Sequence, residues 1–296
     1  MSTRNIVLGV AAVVVAGVCY FVFAPPAVGD PQLPTGPEAI ARGLYIYNAG
    51  GCGACHQRDG AAGPSGGYEI ESPFGGKFHV PNITPDPQTG IAGWTGKDFL
   101  RALKHGRKPS GGFYWPAFPY RSYKDMTDQD VLDVGAYLMS LPPVNHKVPP
   151  HDLPAWQFSW MMAGWNIVAD FLEGTPPAVS NEPQMQRGAY LARALGHCGE
   201  CHTPRNVIGM MKRNHEFEGS TIVTKLIDVG TMAGWSQDDF VALLQLGLKP
   251  DFDVVSGDMA DVIEHTKLLT PEDQAAYAAF FTRGGAAASS SAAAGK

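Results

Sequence analysis

One five-residue pattern, Cys-x-x-Cys-His, occurs twice and constrains this chain more than any other feature. It occupies residues 52–56 and 198–202. The spacing places two thiols on one helical turn, where both can bond the vinyl groups of a single haem while the adjacent imidazole reaches the iron. A lone copy is also compatible with a zinc site or a redox dithiol. Two copies predict two covalently bound haem c groups. The residues predicted to bind them are Cys52, Cys55 and His56, and Cys198, Cys201 and His202.

The similarity between the two halves extends beyond these motifs. Three further patterns recur in the same order: Arg-Gly-x-Tyr at 42–45 and 187–190, a segment ending in Lys-Pro at 93–109 and 234–250, and Thr-x-x-Asp at 127–130 and 270–273. The chain is therefore an internal duplication of a unit of about 100 residues. We call residues 30–143 repeat 1 and residues 181–284 repeat 2, with one haem predicted for each.

Helix signals surround both motifs and predict an all-α fold. A helix is expected over 38–50, followed by a loop rich in Gly and Pro over 60–93 and by helices over 96–105 and 128–141. Repeat 2 has the same order. The linker between the repeats contains Trp156, Trp160 and Trp165; we expect them to pack the two repeats together, with a docking face for a redox partner as the alternative.

The N-terminal segment predicts a membrane anchor. From Ile6 to Ala24 the chain has no charged residue, and Arg4 precedes this run. Such a segment is long enough for a helix across a hydrocarbon core of about 30 Å, and it lacks a clear cleavage site. With Arg4 on the cytoplasmic side, the rest of the chain is expected in the bacterial periplasm, where haem is covalently attached. The net charge of −6 argues against a nucleic-acid partner.

Besides the histidine of its motif, each iron is expected to have a second protein ligand. In domains that bind haem c covalently, this ligand is usually a methionine thioether. In repeat 2 the expected ligand is Met259, in a loop before the last helix. Counted from the shared Lys-Pro, Met259 aligns with Phe118, which cannot bind iron.

For the iron of repeat 1 we therefore predict Met126, the nearest soft donor after Phe118. Its alternative is a core role, because Leu269 holds the matching place in repeat 2. His79, His105 or an open position are the other possibilities for this iron.

Two residues of repeat 2 are predicted to assist. His197 is expected to border the haem rather than bind it, and Pro204 to offer its carbonyl to His202. No Ser-His-Asp triad, carboxylate pair or phosphate loop stands out, so no catalytic residue is predicted.

Three longer motifs follow one another along the chain: Asn82-Ile83-Thr84-Pro85-Asp86, Tyr114-x-Pro116-Ala117-x-Pro119-Tyr120 and Gly196-His197-Cys198-Gly199-x-Cys201-His202-Thr203-Pro204-Arg205-Asn206. From about residue 38 to 282 the chain resembles the cytochrome c subunits of bacterial membrane-bound periplasmic dehydrogenases, which serve alcohol, polyol and aldehyde oxidation. The resemblance implies electron transfer from a dehydrogenase subunit or other respiratory donor to a terminal oxidase, cytochrome or quinone. The rival function is a dihaem enzyme of the peroxidase or thiosulfate dehydrogenase type, with an open first haem.

These inferences combine into one architecture: two tandem class I cytochrome c domains behind an N-terminal transmembrane helix. The predicted segments are an anchor at 1–29, a first domain at 30–143, an aromatic and Pro-rich linker at 144–180, a second domain at 181–284 and a disordered tail at 285–296.

Overall fold

The computed structural model describes residues 2–57, 60–220 and 234–283, and these are mostly helical. The helices of the first half are α1 Thr3–Phe23, α2 Pro37–Ala49, α3 Cys52–His56, α4 Gly96–His105, α5 Tyr120–Tyr123 and α6 Asp128–Ser140. Those of the second half are α7 Met162–Leu172, α8 Pro183–Tyr190, α9 Gly199–His202, α10 Gln237–Leu246, α11 Asp258–Thr266 and α12 Pro271–Thr282. Short turns of 3-10 helix at Ser159–Met161 and Arg213–His215, and a π-helical turn at Leu191–Leu195, complete the helical elements. The three helices predicted in repeat 1 are confirmed.

Matching sequences form matching helix ends in the two repeats. The side chain of Thr95 accepts the N–H of Asp98, whose carboxylate accepts the N–H of Thr95 in return. Ser236 and Asp239 make the same pair of bonds at the start of α10. These capping boxes satisfy N–H groups that would otherwise lack partners at a helix start. Helix α4 then ends at Gly106, which takes the left-handed conformation (φ 60°) open to glycine. The helix bounds therefore follow from local sequence.

The segment predicted as a loop contains a small sheet, so the loop prediction is wrong at these two strands, although the described residues are mostly helical. Strands β1 Glu69–Glu71 and β2 Lys77–His79 pair in antiparallel register. Each strand has only three residues, too few for the alternation of polar and apolar residues that marks a strand in sequence. Gly76 (φ 82°) is required at the turn, because an added Cβ would lie 2.1 Å from the carbonyl oxygen of Asp152.

The Arg-Gly pattern before each haem motif is explained by helix packing. Helix α2 crosses α6 at Gly43, where an added Cβ would lie 1.9 Å from the carbonyl oxygen of Asp133. Helix α8 crosses α12 in the same way at Gly188, 2.1 Å from the carbonyl oxygen of Ala276. Arg42 Nε donates to the Asp133 carboxylate over 2.7 Å beside the first crossing. In each repeat, glycine thus allows the first and last helices to pack in backbone contact.

Buried side chains of both repeats form one continuous hydrophobic cluster. Representative members, all less than a tenth exposed, are Ile46, Phe99 and Val131 in repeat 1 and Leu195, Phe240 and Phe280 in repeat 2. The core therefore passes from one repeat into the other. The proposed domain boundaries stay predictions.

Two tyrosines make the same contact between the repeats in opposite directions, an arrangement that we call the tyrosine clasp. The Tyr45 hydroxyl donates to Asp273 over 2.5 Å and accepts the N–H of Thr270 at 3.3 Å. The Tyr190 hydroxyl donates to Asp130 and accepts the N–H of Thr127 at 3.1 Å. Each tyrosine comes from the Arg-Gly-x-Tyr pattern of one repeat and reaches the Thr-x-x-Asp pattern of the other. The clasp gives the interface an approximate twofold relation.

The linker tryptophans do not behave as expected. Trp156 and Trp160 are 59% and 60% exposed, so the prediction that they pack the repeats together is wrong for these two. Trp165 donates its Nε1–H to the carbonyl oxygen of Ile208 at 3.0 Å and does contact repeat 2. Local composition indicates an aromatic segment but cannot tell which rings become covered.

The N-terminal segment is helical, as α1 shows, and its described side chains are mostly exposed. Among the residues that the structure describes, no helix has both the length and the apolar character to cross a membrane, so the predicted transmembrane helix is not found. The predicted tail at 285–296 lies outside the described residues.

Candidate haem sites

The first Cys-x-x-Cys-His motif forms helix α3, with Cys52 and Cys55 one turn apart. Nδ1 of His56 lies 2.8 Å from the carbonyl oxygen of Pro81. Because a carbonyl can only accept, Nδ1 carries the hydrogen, which leaves the lone pair on Nε2 for a metal. Burial lowers the pKa of His56 to about 4, so the imidazole is neutral at neutral pH. Neutral imidazole is the form that binds iron.

The thiols of both motifs are set in apolar surroundings. Burial raises the pKa of Cys52 and of Cys198 to about 12. Both residues pack against the shared hydrophobic cluster, the kind of surface that a porphyrin ring covers. Two thiols on one turn, a neutral imidazole with a free Nε2 and an apolar wall fit a covalently bound haem c.

The second motif also becomes helical, in α9. Its His202 lies on that helix, and its carbonyl oxygen accepts the N–H of Gly219 at 2.9 Å. Residues 221–233, further along the same loop, lie outside the described residues. Both motifs therefore present two cysteines and one histidine on a single helical turn, so the two sites offer the same groups for haem attachment.

The structure brings the two motifs together. Burial, and then the nearby Cys201 thiol, raise the pKa of Cys55. Nε2 of His197, the residue before the second motif, lies 3.3 Å from the carbonyl oxygen of Gly50, just before the first. The two haem-binding segments therefore meet at the interface between the repeats.

The structure supports the alignment of Phe118 with Met259. Isolated antiparallel bridges join residues 107 and 113 in repeat 1 and residues 248 and 254 in repeat 2, at the same register. Phe118 and Met259 follow at the same distance, and both pack half-buried against the shared cluster. Met259 lies in the first turn of α11 rather than in the expected loop. Phe118 is surrounded by aromatic rings, with the Tyr123 ring centroid 5.8 Å away.

Met126 occupies a core position. Its side chain is 4% exposed, and that of Leu269 in repeat 2 is 5% exposed. Their N–H groups bond to equivalent carbonyls, those of Tyr123 (3.0 Å) and Thr266 (3.2 Å). The two residues are thus structural counterparts, and the ligand role of Met126 stays a prediction.

The two alternative histidines lie in different settings. His79 is in β2, where its N–H donates to Nδ1 of His151 at 3.1 Å and its own Nδ1 lies 3.8 Å from Glu69. His105 ends α4 and is exposed. Both remain alternatives for the first iron.

Pro81 is a functional residue that sequence reasoning missed. For repeat 2 the sequence indicated Pro204 as the partner of His202; the carbonyl oxygen of Pro204 accepts the N–H of Lys212 at 2.8 Å, and its role towards His202 stays a prediction. Pro81 is distant in sequence from His56, and no fixed spacing marks it. A usable signal was nevertheless present, because Pro81 directly precedes the Asn-Ile-Thr motif that begins at Asn82.

The Asn-Ile-Thr motif fixes the position of the loop that contains Pro81. The Asn82 side chain donates to the carbonyl oxygen of Val144 over 2.7 Å and accepts the N–H of Thr84 at 2.9 Å. Both Asn82 and Thr84 are buried. The loop is therefore tied to the first residue of the linker, which fixes the carbonyl that orients His56.

Comparison with known proteins agrees with this geometry. The family model for cytochrome c matches residues 40–142. A "Diheme cytochrome c-type" from Cereibacter sphaeroides is 39% identical, with 95% of this chain and 98% of that protein covered. The gluconate 2-dehydrogenase cytochrome c subunit from Pantoea cypripedii is 34% identical over 81% of this chain and 58% of its own length. The fructose dehydrogenase cytochrome subunit from Gluconobacter japonicus is 35% identical over 82% of this chain and 52% of its own length.

The residues and the helices around both motifs define a protein that holds haem covalently and transfers electrons. The chain belongs to the cytochrome c family, as its likeness to a dihaem cytochrome c over nearly the whole length of both proteins shows, and it is similar to cytochrome c subunits of bacterial dehydrogenases. It spans nearly the whole of the dihaem relative but only 58% and 52% of the two dehydrogenase subunits.

Proposed function

We propose that this protein is a dihaem cytochrome c that carries electrons between a periplasmic dehydrogenase and a downstream acceptor. The observation that carries the proposal is the contact between the two haem-binding segments, His197 to Gly50 at 3.3 Å. Two attachment motifs that meet inside one molecule suit a relay of electrons. The relatives include cytochrome subunits of gluconate, fructose and alcohol dehydrogenases, which supports a dehydrogenase as the donor.

In this function the residues of the protein position the haems, orient a ligand and limit the access of water. Each bound haem supplies an iron that cycles between Fe(III) and Fe(II). The cysteines fix the haem position, Pro81 fixes the hydrogen on His56, and the apolar cluster limits the access of water. A low-dielectric setting with fixed ligands keeps the structure unchanged between the two oxidation states, which favours rapid electron transfer.

The proposed donor is a dehydrogenase subunit, and the acceptor is a terminal oxidase, another cytochrome or a quinone. The test is to purify the tagged full chain from native membranes and identify the protein that accompanies it. We expect two haems per chain, a two-step redox titration and reduction of both haems when the partner's substrate is added. One haem per chain, or haems that the co-purified enzyme cannot reduce, would contradict the proposal.

A second candidate function is a dihaem enzyme of the peroxidase or thiosulfate dehydrogenase type. It is favoured by Phe118, which stands where repeat 2 has Met259 and offers no ligand to the iron. An open first iron would bind small ligands. Turnover of hydrogen peroxide or thiosulfate by the purified protein, together with a high-spin first haem, would favour this function.

The proposed location is the periplasmic side of the inner membrane, with residues 1–29 as the attachment. Support comes from the uncharged run from Ile6 to Ala24 and from exposed apolar side chains such as Val10. A chain that begins at Gly29 behind a cleavable signal peptide should be soluble and retain haem, whereas the full chain should sediment with membranes in high salt. A truncated form that sediments without a partner would contradict this attachment.

A further inference from the structure

The two haem-binding segments are joined by a hydrogen bond from His197 to Gly50. The distance from Nε2 to the carbonyl oxygen is 3.3 Å, and since a carbonyl only accepts, Nε2 carries the hydrogen. Gly50 stands two residues before Cys52, and His197 directly precedes Cys198. A continuous path of covalent bonds with one hydrogen bond therefore connects an attachment cysteine of each haem.

The backbone of His197 has an unfavourable conformation, which indicates that contacts of its side chain stabilise it. Its φ is 38°, in the left-handed region that residues other than glycine rarely adopt. The matching residue of repeat 1 is Gly51, which adopts a similar conformation (φ 58°) without strain. Histidine at such a position persists only when surrounding contacts hold it.

Those contacts come from repeat 1. The Tyr123 ring meets the His197 ring edge-on, with centroids 5.5 Å apart, and its hydroxyl lies 3.4 Å from the same Gly50 carbonyl oxygen. Beside it, the Ser122 hydroxyl donates to the carboxylate of Glu200 over 2.7 Å. Glu200 lies inside the second haem motif, so a residue of repeat 1 forms a direct hydrogen bond with that motif.

We propose that His197 is the positioning residue that couples the two haem-binding segments and sets the rate of electron exchange between the haems. The inference rests on the proposed dihaem function. One electron passes in each event: one iron is oxidised as the other is reduced, with no bond formed or broken and no proton transferred. Bonded paths couple electron donors and acceptors better than gaps between atoms, because electronic coupling falls steeply across empty space.

The test uses the full-length holoprotein and three substitutions. H197F keeps an aromatic ring against Tyr123 but has no donor. H197N tolerates the left-handed backbone, but its amide is too short to reach Gly50. The control, H197Q, retains an N–H donor at about the reach of the imidazole. Asparagine relieves strain, so H197N should fold even where H197F does not.

Pulse radiolysis adds less than one electron per molecule, and the concentration-independent phase that follows reports exchange between the two haems. We expect this phase to slow severalfold in H197F and H197N and to stay near the native rate in H197Q, with haem content and both potentials unchanged. A native rate in H197N, or equal slowing in H197Q and H197N, would overturn the proposal. Haem counting and reduction by the partner test the dihaem function separately, so a failure of either idea is recognisable by itself.

Discussion

Phe118 and Met259 stand at equivalent places in the two repeats, yet only one of them can bind a metal. A thioether is a soft donor that stabilises Fe(II) and raises the potential. If no other thioether takes the place of Phe118, the first iron should have the lower potential, which would give electron flow between the two haems a direction.

Replacing Met259 with alanine should change one haem only. Loss of the soft ligand should lower that haem's potential or make it high-spin. The measurement is a redox titration together with the absorption band of Met-ligated ferric haem. Met161→Ala, at an exposed methionine of the linker, is the control and should change neither. An unaltered band in Met259→Ala would exclude Met259 as a ligand.

Met126→Leu tests the first iron. Leucine already fills the matching core position at Leu269, so the fold should tolerate the change. If Met126 is the ligand, the variant should gain a high-spin ferric signal in low-temperature electron paramagnetic resonance, and Phe118→Met should restore a low-spin one. A high-spin signal in the unmodified protein would contradict the Met126 prediction, and a bis-histidine signal would indicate His79.

Helix packing at the glycine crossings gives a prediction for stability. Gly43→Ala inserts a methyl group 1.9 Å from a backbone carbonyl oxygen of α6, so α2 must move away. Overpacking of this kind typically costs about 1–3 kcal/mol of unfolding free energy. Denaturant unfolding of the holoprotein measures the loss. The control, Gly164→Ala in α7, meets no atom within 4 Å and should be neutral or slightly stabilising. Equal stability of the two variants would refute the close crossing.

Elements defined by local sequence could be predicted, and elements defined by tertiary contacts could not. Thr95 with Asp98, and Gly106 after them, mark the ends of α4 because capping involves neighbouring residues only. The strands at 69–71 and 77–79 are too short to show a period. The start of α11 placed Met259 in a helix, where the sequence indicated a loop.

The tyrosine clasp predicts how the two repeats unfold. Tyr45→Phe removes the hydroxyl that donates to Asp273 and leaves a buried carboxylate without that bond, at a cost of about 1–3 kcal/mol. Tyr190→Phe should cost a similar amount at Asp130. In the double variant we expect two separated unfolding transitions, followed by the haem absorbance and by circular dichroism. Tyr68→Phe, at an exposed tyrosine, is the control. A single native-like transition in the double variant would show that the clasp does not join the repeats.

The arrangement of the whole molecule lay beyond sequence reasoning. The amino-acid sequence alone reveals the internal duplication and both haem motifs. It also reveals the equivalence of Phe118 and Met259. The partner of Tyr45 lies 228 residues away, and nothing in a repeat pattern tells which surfaces of its copies meet. His197 was expected only to border a haem, because its contact with Gly50 depends on that interface.

The position of the thiols bears on the order in which the protein matures. A thioether forms when a cysteine sulfur reaches a haem vinyl group, and the thiolate is the reactive form of sulfur. Cys52 and Cys198 pack against the hydrophobic cluster that the two repeats share. We therefore expect haem attachment to precede the packing of the repeats against each other, so that the porphyrins become part of the surfaces around which biogenesis finishes.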